Sequence, residues 1–148
     1  MSLARILVRE MKMEDAAAAA RLATQLGYPS TTPQIERRFR ALSDAPDARV
    51  LIAEDADGGV LGWIHVYGNR HLESDPDAEI GGLVVDEAAR GRGVGSALMV
   101  SAEAWAKERG YTAVSVRSNV VRAEAHQFYK TRGYEVLKSQ FKLRKKLG

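Results

Sequence analysis

Residues 79–96 read Glu-Ile-Gly-Gly-Leu-Val-Val-Asp-Glu-Ala-Ala-Arg-Gly-Arg-Gly-Val-Gly-Ser. An apolar run enters a glycine-rich turn, and a helical pattern starts directly after it. The first turn of a helix leaves about four backbone N–H groups without partners and carries roughly half a unit of positive charge. Such a junction is a natural anion site. Gly91, Gly93 and Gly95 let the main chain approach phosphate oxygens with no side chain in the way. Arg90 and Arg92 add mobile positive charge. The segment Gly91, Arg92, Gly93, Val94, Gly95, Ser96 is suited to hold a pyrophosphate. Two familiar nucleotide patterns do not fit it. No Lys-Ser or Lys-Thr follows the glycines, and a dinucleotide fingerprint would need a third glycine in register and a place after the first strand. A turn of this kind can also do no more than join a strand to a helix.

The elements that must position this turn follow from periodicity. Ala4–Glu10 alternates and predicts a first strand; Met13–Leu26 and Pro33–Leu42 predict helices, the first stopped by Gly27. Val50–Glu54 and Val60–Tyr67 flank an Asp- and Gly-rich turn and predict a hairpin. Ala78–Val85 predicts a strand, Gly93–Arg109 the strongest helix, and Ala113–Val116 another strand. Ala123–Arg132 predicts a short helix, and Glu135–Leu137 and Phe141–Arg144 two closing strands. The whole is expected to be a single α/β (α+β) domain over residues 1–148, with a mixed sheet of about seven strands and about four helices.

Composition narrows the chemistry. The chain has 148 residues, 45% hydrophobic and 28% charged, which is enough to bury a core. It has no cysteine, so thiol catalysis, disulfides and cysteine zinc sites are excluded. His65, His71 and His126 show no metal-ligand spacing, and no metal is expected. The net charge of +3 is a mild excess that suits a small polyanion better than nucleic acid. The basic run Lys142–Lys146 has only Phe141 as aromatic company, so a nucleic-acid partner is not expected. No stretch is apolar enough for a membrane span or a signal peptide, and a cytoplasmic location is expected.

Two blocks resemble the hallmarks of the GNAT superfamily of N-acetyltransferases. Arg90-x-x-Gly93-x-Gly95, after the apolar Leu83-Val84-Val85, is similar to the family's acetyl-coenzyme A motif. The run from Ala125 to Tyr134, Ala-His-Gln-Phe-Tyr-Lys-Thr-Arg-Gly-Tyr, resembles its second hallmark. The element order fits over nearly the whole chain. The resemblance implies a sheet whose fourth and fifth strands splay apart, so that the pantetheine arm inserts beside Leu83, Val84 and Val85. Gly91 to Ser96 would then bind the pyrophosphate, and the N–H of Val85 or a neighbour would face the thioester oxygen.

The same resemblance implies acetyl-CoA as cosubstrate and direct attack by a primary amine of a small molecule or peptide. Glu79, in Ala78-Glu79-Ile80, matches a glutamate of the histone-acetylating branch and becomes the candidate base, acting directly or through water. Tyr129 matches the tyrosine near the thioester sulfur and becomes the candidate acid. Relatives place a cofactor-binding asparagine seven residues before that tyrosine; here Arg122 stands there and Asn119 lies three residues earlier, and either can take the role. His126 is a core residue or an alternative proton carrier. Tyr28 and Phe39 are candidate walls of the acceptor site, and Glu73, Asp75, Asp77 and Glu79 would give it an acidic mouth. A homodimer is possible by analogy. The alternative reading is a non-catalytic, acyl-CoA-binding module on the same fold.

Overall fold

The computed structural model describes residues 5–117 and 123–148. They form five strands and four α-helices: β1 (Leu7–Glu10), α1 (Ala16–Leu26), α2 (Thr32–Ser43), β2 (Ala48–Glu54), β3 (Val60–Asn69), β4 (Asp77–Val85), α3 (Val94–Glu108), β5 (Val114–Val116) and α4 (Ala123–Thr131). Short 3-10 turns precede α1 and follow β4. The chain divides into two compact units at Val116/Arg117. The first holds the whole sheet, in the order β1-β2-β3-β4-β5. Its pairs are antiparallel except β4 with β5, which is parallel, so the sheet is mixed.

Local chemistry explains the helix ends. Gly27 closes α1 with a left-handed φ of +106°, its N–H reaching the carbonyls of Ala23 and Thr24. Thr31 opens α2 with a capping box: its hydroxyl accepts from the Gln34 N–H, and the Gln34 side chain accepts from the Thr31 N–H. Alternation along the strands sets the two faces of the sheet. Gly62, Ile64 and Val66 look toward α3, where a Cβ at Gly62 would stand 3.3 Å from Val94 and Leu98 side-chain carbons. Trp63, His65 and Tyr67 look the other way, and the Trp63 indole N–H donates to the Ala19 carbonyl of α1 at 3.3 Å.

Ile52, Ile64, Val66, Leu98 and Met99 have no exposed surface and form the centre of this unit. Truncating Leu98 to alanine there should cost about 3 kcal/mol of unfolding free energy, the usual loss for a buried leucine. Urea denaturation followed by circular dichroism measures it; a loss below about 1 kcal/mol would mean that α3 is not packed as described.

In the second unit α4 carries Phe128, Tyr129 and, just beyond it, Tyr134, with ring centroids 5.3 and 5.8 Å apart in edge contacts. Gly133 ends this segment with φ +91°. The two closing strands expected at Glu135–Leu137 and Phe141–Arg144 are not formed: residues 134–148 carry no strand, and the described residues hold five strands rather than seven. Val136, Leu137, Phe141 and Leu143 are largely exposed. Alternation of apolar and basic residues is a strand signal only where an edge exists to pair with. Within this unit the two runs have only each other, joined by Lys138-Ser139-Gln140, which lacks hairpin turn residues. A lone hairpin is marginal in water even with a good turn.

Candidate active site

Strand β4 changes character along its length. Asp77, Ala78, Glu79 and Ile80 pair in order with Asn69, Gly68, Tyr67 and Val66 of β3, and Gly82 to Val85 pair with His65 to Gly62. Gly81 falls between the two sets as a bulge residue. On its other edge β4 pairs with β5 through Ala78, Glu79 and Ile80 alone. From Gly81 to Val85 that edge has no strand partner among the described residues. A bulge bends its strand and increases its twist, and the pairing of β4 with β5 stops just before it. Every second residue of that half directs its N–H and C=O away from β3, leaving main-chain donors and acceptors for a ligand. Leu83, Val84 and Val85 lie here.

The open edge leads straight into the glycine turn. The Asp86 N–H donates to the Leu61 carbonyl at 2.7 Å, and its carboxylate accepts from the Ala88 N–H at 3.1 Å. Two α1 side chains hold the same carboxylate, Arg21 at 2.9 Å and Gln25 at 3.4 Å, and Gln25 also accepts from the Glu87 N–H. The Ala88 N–H bond, helped by Arg21 and Gln25, holds the Asp86 carboxyl below the usual aspartate range against the opposing effect of burial. The turn is thus anchored at its entrance and bare beyond it. Arg90, Gly91, Arg92 and Gly93 are exposed. Gly91 and Gly93 have φ near +80°, a backbone that side-chain-bearing residues rarely adopt. Gly93 is the N-cap of α3 and offers no capping side chain. The N–H groups of Val94, Gly95 and Ser96, the first three helical residues, are left for an anion.

Glu79 sits upstream of the bulge and is 7% exposed. Tyr67 donates its hydroxyl to Glu79 Oε2 at 2.5 Å, and the Asn69 amide donates to Oε1 at 3.1 Å. Both partners come from β3, and Tyr67 stands directly opposite Glu79 in the register. Next along the same face is His65, stacked on Tyr67 with ring centroids 5.2 Å apart. Gly81 makes room for the pair: a Cβ there would lie 2.6 Å from His65 Nδ1 and 3.0 Å from Tyr67 Cε1. A carboxylate fixed at the end of a buried half-strand, one bulge away from an open sheet edge, can take a proton from an amine brought to that edge.

Burial lowers the His65 imidazole below its ordinary value of 6.5, and its Nε2 is buried with no hydrogen-bond partner. The imidazole is neutral in the folded chain at pH 7. Because the folded value is the lower one, this contribution to stability is complete above pH 6.5 and is lost as pH falls below it, when only the unfolded chain takes up the proton. Melting curves between pH 7.5 and 5 should show a falling Tm, and His65→Phe should flatten part of that fall. An unchanged slope in the variant would remove His65 as its source.

The other sequence candidates are placed as follows. Tyr28 is exposed just after α1, and Phe39 on α2 is half-buried against the cluster of Met11, Ala16, Ala19 and Ile52. Asp77 accepts a hydrogen bond from the Ser115 hydroxyl of β5. Tyr129 and His126 lie on α4 in the second unit. Asn119 and Arg122 are outside the described residues. Tyr67, Asn69 and His65 were missed by motif reasoning. The available signal was the alternation Trp63, His65, Tyr67, Asn69, an aromatic and polar row on a strand whose other face is glycine, isoleucine and valine. Among the described residues no group of three His, Cys, Asp or Glu could hold a metal ion, and no helix is long and apolar enough to cross a membrane.

This geometry has relatives. An aminoglycoside N(6')-acetyltransferase type 1 of Stenotrophomonas maltophilia is 32% identical over 133 residues, 86% of this chain and 85% of that protein. An aminoalkylphosphonate N-acetyltransferase of Salmonella typhimurium is 35% identical over 92 residues, 62% of this chain and 58% of that protein. Among solved structures, the aminoglycoside N-acetyltransferase AAC(6')-Iy in complex with CoA superposes with a TM-score of 0.85, covering 97% of each chain at 18% identity, which speaks for a shared fold. The sequence model of the acetyltransferase (GNAT) family matches residues 11–134, from just after β1 through β2 to β5, the glycine turn and α4. A match over that span, together with a relative one-third identical along most of its length, means that this chain belongs to the GNAT family of acetyltransferases.

Proposed function

We propose that the chain, with residues 1–148 acting as one domain, is an N-acetyltransferase that moves an acetyl group from acetyl-CoA to a primary amine. The observation that carries this reading is the edge of β4 from Gly81 to Val85, which has no strand partner among the described residues and runs into the N-terminus of α3. The edge offers main-chain hydrogen bonds to the amides of a pantetheine arm beside Leu83, Val84 and Val85. The turn offers N–H groups of Val94, Gly95 and Ser96, and the charges of Arg90 and Arg92, to a pyrophosphate.

The reaction needs three things of the protein. The acceptor reaches the site as an ammonium and must lose a proton, which Glu79 takes directly or through a water. The free amine nitrogen then forms a bond to the thioester carbon, and a β4 N–H, that of Val85 or a neighbour, stabilises the oxyanion. When the C–S bond breaks, the nitrogen gives up its surplus proton to leave the amide, and the sulfur takes one proton in turn, for which Tyr129 is the proposed donor on the strength of its motif. No covalent enzyme intermediate is involved, in keeping with a chain that has no cysteine.

The acceptor class best supported is a cationic small-molecule amine of the aminoglycoside kind. The relative of that name aligns with most of both chains, and Glu73, Asp75, Asp77 and Glu79 favour a positively charged visitor. Tyr28 and Phe39 are the proposed acceptor walls, and the cytoplasm, where acetyl-CoA is made and used, is the proposed location. Thiol release from acetyl-CoA, followed over a panel of neamine, aminoalkylphosphonates, polyamines and N-terminal peptides, tests the proposal. Turnover with at least one amine supports it. Tight binding of CoA with no turnover on any amine would replace it with a binding module.

A further inference from the structure

Glu79 is held from outside its own strand, by two β3 residues that no motif marks. We propose that Tyr67 and Asn69 are positioning residues, which fix the plane and location of the Glu79 carboxylate for proton transfer from the acceptor amine. The inference rests on the reading of Glu79 as the base.

A glutamate side chain has three rotatable torsions, and a proton acceptor is useful only when its oxygen is aimed at the incoming N–H. One donor would locate a single oxygen and let the group swing about it. Here Tyr67 takes Oε2 at 2.5 Å and Asn69 takes Oε1 at 3.1 Å, so both ends of the carboxylate are tied. The donors are themselves fixed. Asn69 and Tyr67 are spaced two apart on β3, on the face that Glu79 shares. The Tyr67 ring is stacked on His65, and both rings rest on the bare Gly81 backbone. Burial keeps His65 neutral, so the stack brings no positive charge that would compete for the carboxylate.

The test is a double-variant comparison on the full chain, using acetyl-CoA with neamine, or with the fastest amine of the panel above. Tyr67→Phe keeps the ring and its stacking and removes only the donor. Alone, it should lower kcat about ten-fold and leave the KM for acetyl-CoA and the melting temperature nearly unchanged. Combined with Glu79→Gln, it should add no further loss, because a residue that acts through the carboxylate has nothing left to act on. Asn69→Ala should behave in the same way and carries the test if Tyr67→Phe folds poorly. A slow Glu79→Gln enzyme beside a Tyr67→Phe enzyme of wild-type kcat would overturn this inference alone. An equal ten-fold loss in both backgrounds would also overturn it, by showing a merely structural role. A Glu79→Gln enzyme of full kcat would overturn the base assignment, and the inference with it.

Discussion

Glu79→Gln is expected to lower kcat by about a thousand-fold while the KM for acetyl-CoA stays within about two-fold of wild type. The substitution keeps the size of the side chain, and the amide oxygen can still accept from Tyr67 or Asn69. What is lost is a proton acceptor near the start of β4. The cosubstrate would be gripped further along, by the unpaired residues of β4 and the turn after it, so its binding has no reason to change. The split between the two constants separates a chemical role from a structural one. Steady-state thiol release across a range of acetyl-CoA concentrations measures both. A variant whose kcat drops less than about three-fold would assign the proton to another group, and one whose KM rises in step with the fall in kcat would make Glu79 a binding residue.

The second large effect concerns the other end of the open edge. Gly95 lies in the first turn of α3 with φ in the ordinary helical range, since it is absent from the positive-φ positions. Gly95→Asp therefore meets no backbone obstacle, and an acidic side chain at a helix start is favourable to the helix itself, by about 0.3 to 1 kcal/mol. The same carboxylate would face the diphosphate of acetyl-CoA. Like charges brought together at a binding surface cost several kcal/mol, so the KM for acetyl-CoA should rise about a hundred-fold. Stability should hold or improve slightly. Calorimetric titration with CoA and a thermal melt give the two readings. Unchanged CoA affinity in a well-folded Gly95→Asp protein would mean that the diphosphate is bound elsewhere. Raised salt should weaken CoA binding to the wild-type protein in the same direction, because the Arg90 and Arg92 charges are exposed.

Periodicity and turn chemistry were enough to locate every helix and the first five strands to within a few residues. The glycine-rich turn was legible because its requirement is local: positive φ at Gly91 and Gly93, and a bare helix start. The two expected closing strands failed for a reason of the opposite kind. Val136-Leu137 is a short apolar pair and Phe141 and Leu143 alternate with basic residues, yet a strand exists only through its partner, and such a pattern says nothing about whether one is there. The clamp on Glu79 was illegible for a related reason. Tyr67 and Asn69 lie ten or twelve residues before Glu79, and only the register of β3 against β4, set by the bulge at Gly81, brings them opposite it. Seeing that from sequence would require knowing in advance that one residue of β4 goes uncounted.

That uncounted residue gives β4 two parities. Before Gly81 the odd-numbered positions share the face of Tyr67; after it the even-numbered ones do, since Gly82 stands opposite His65 and Val84 opposite Trp63. Val84 is buried and belongs to that second count. Removing a single residue between Glu79 and Val84 would therefore be absorbed by the bulge, and everything downstream would keep its partner and its face on β3; removing two would exchange inside and outside from there on. Loss of one residue in this stretch should accordingly be tolerated and loss of two should not, a rule that a pair of deletion variants differing by one position could read off directly.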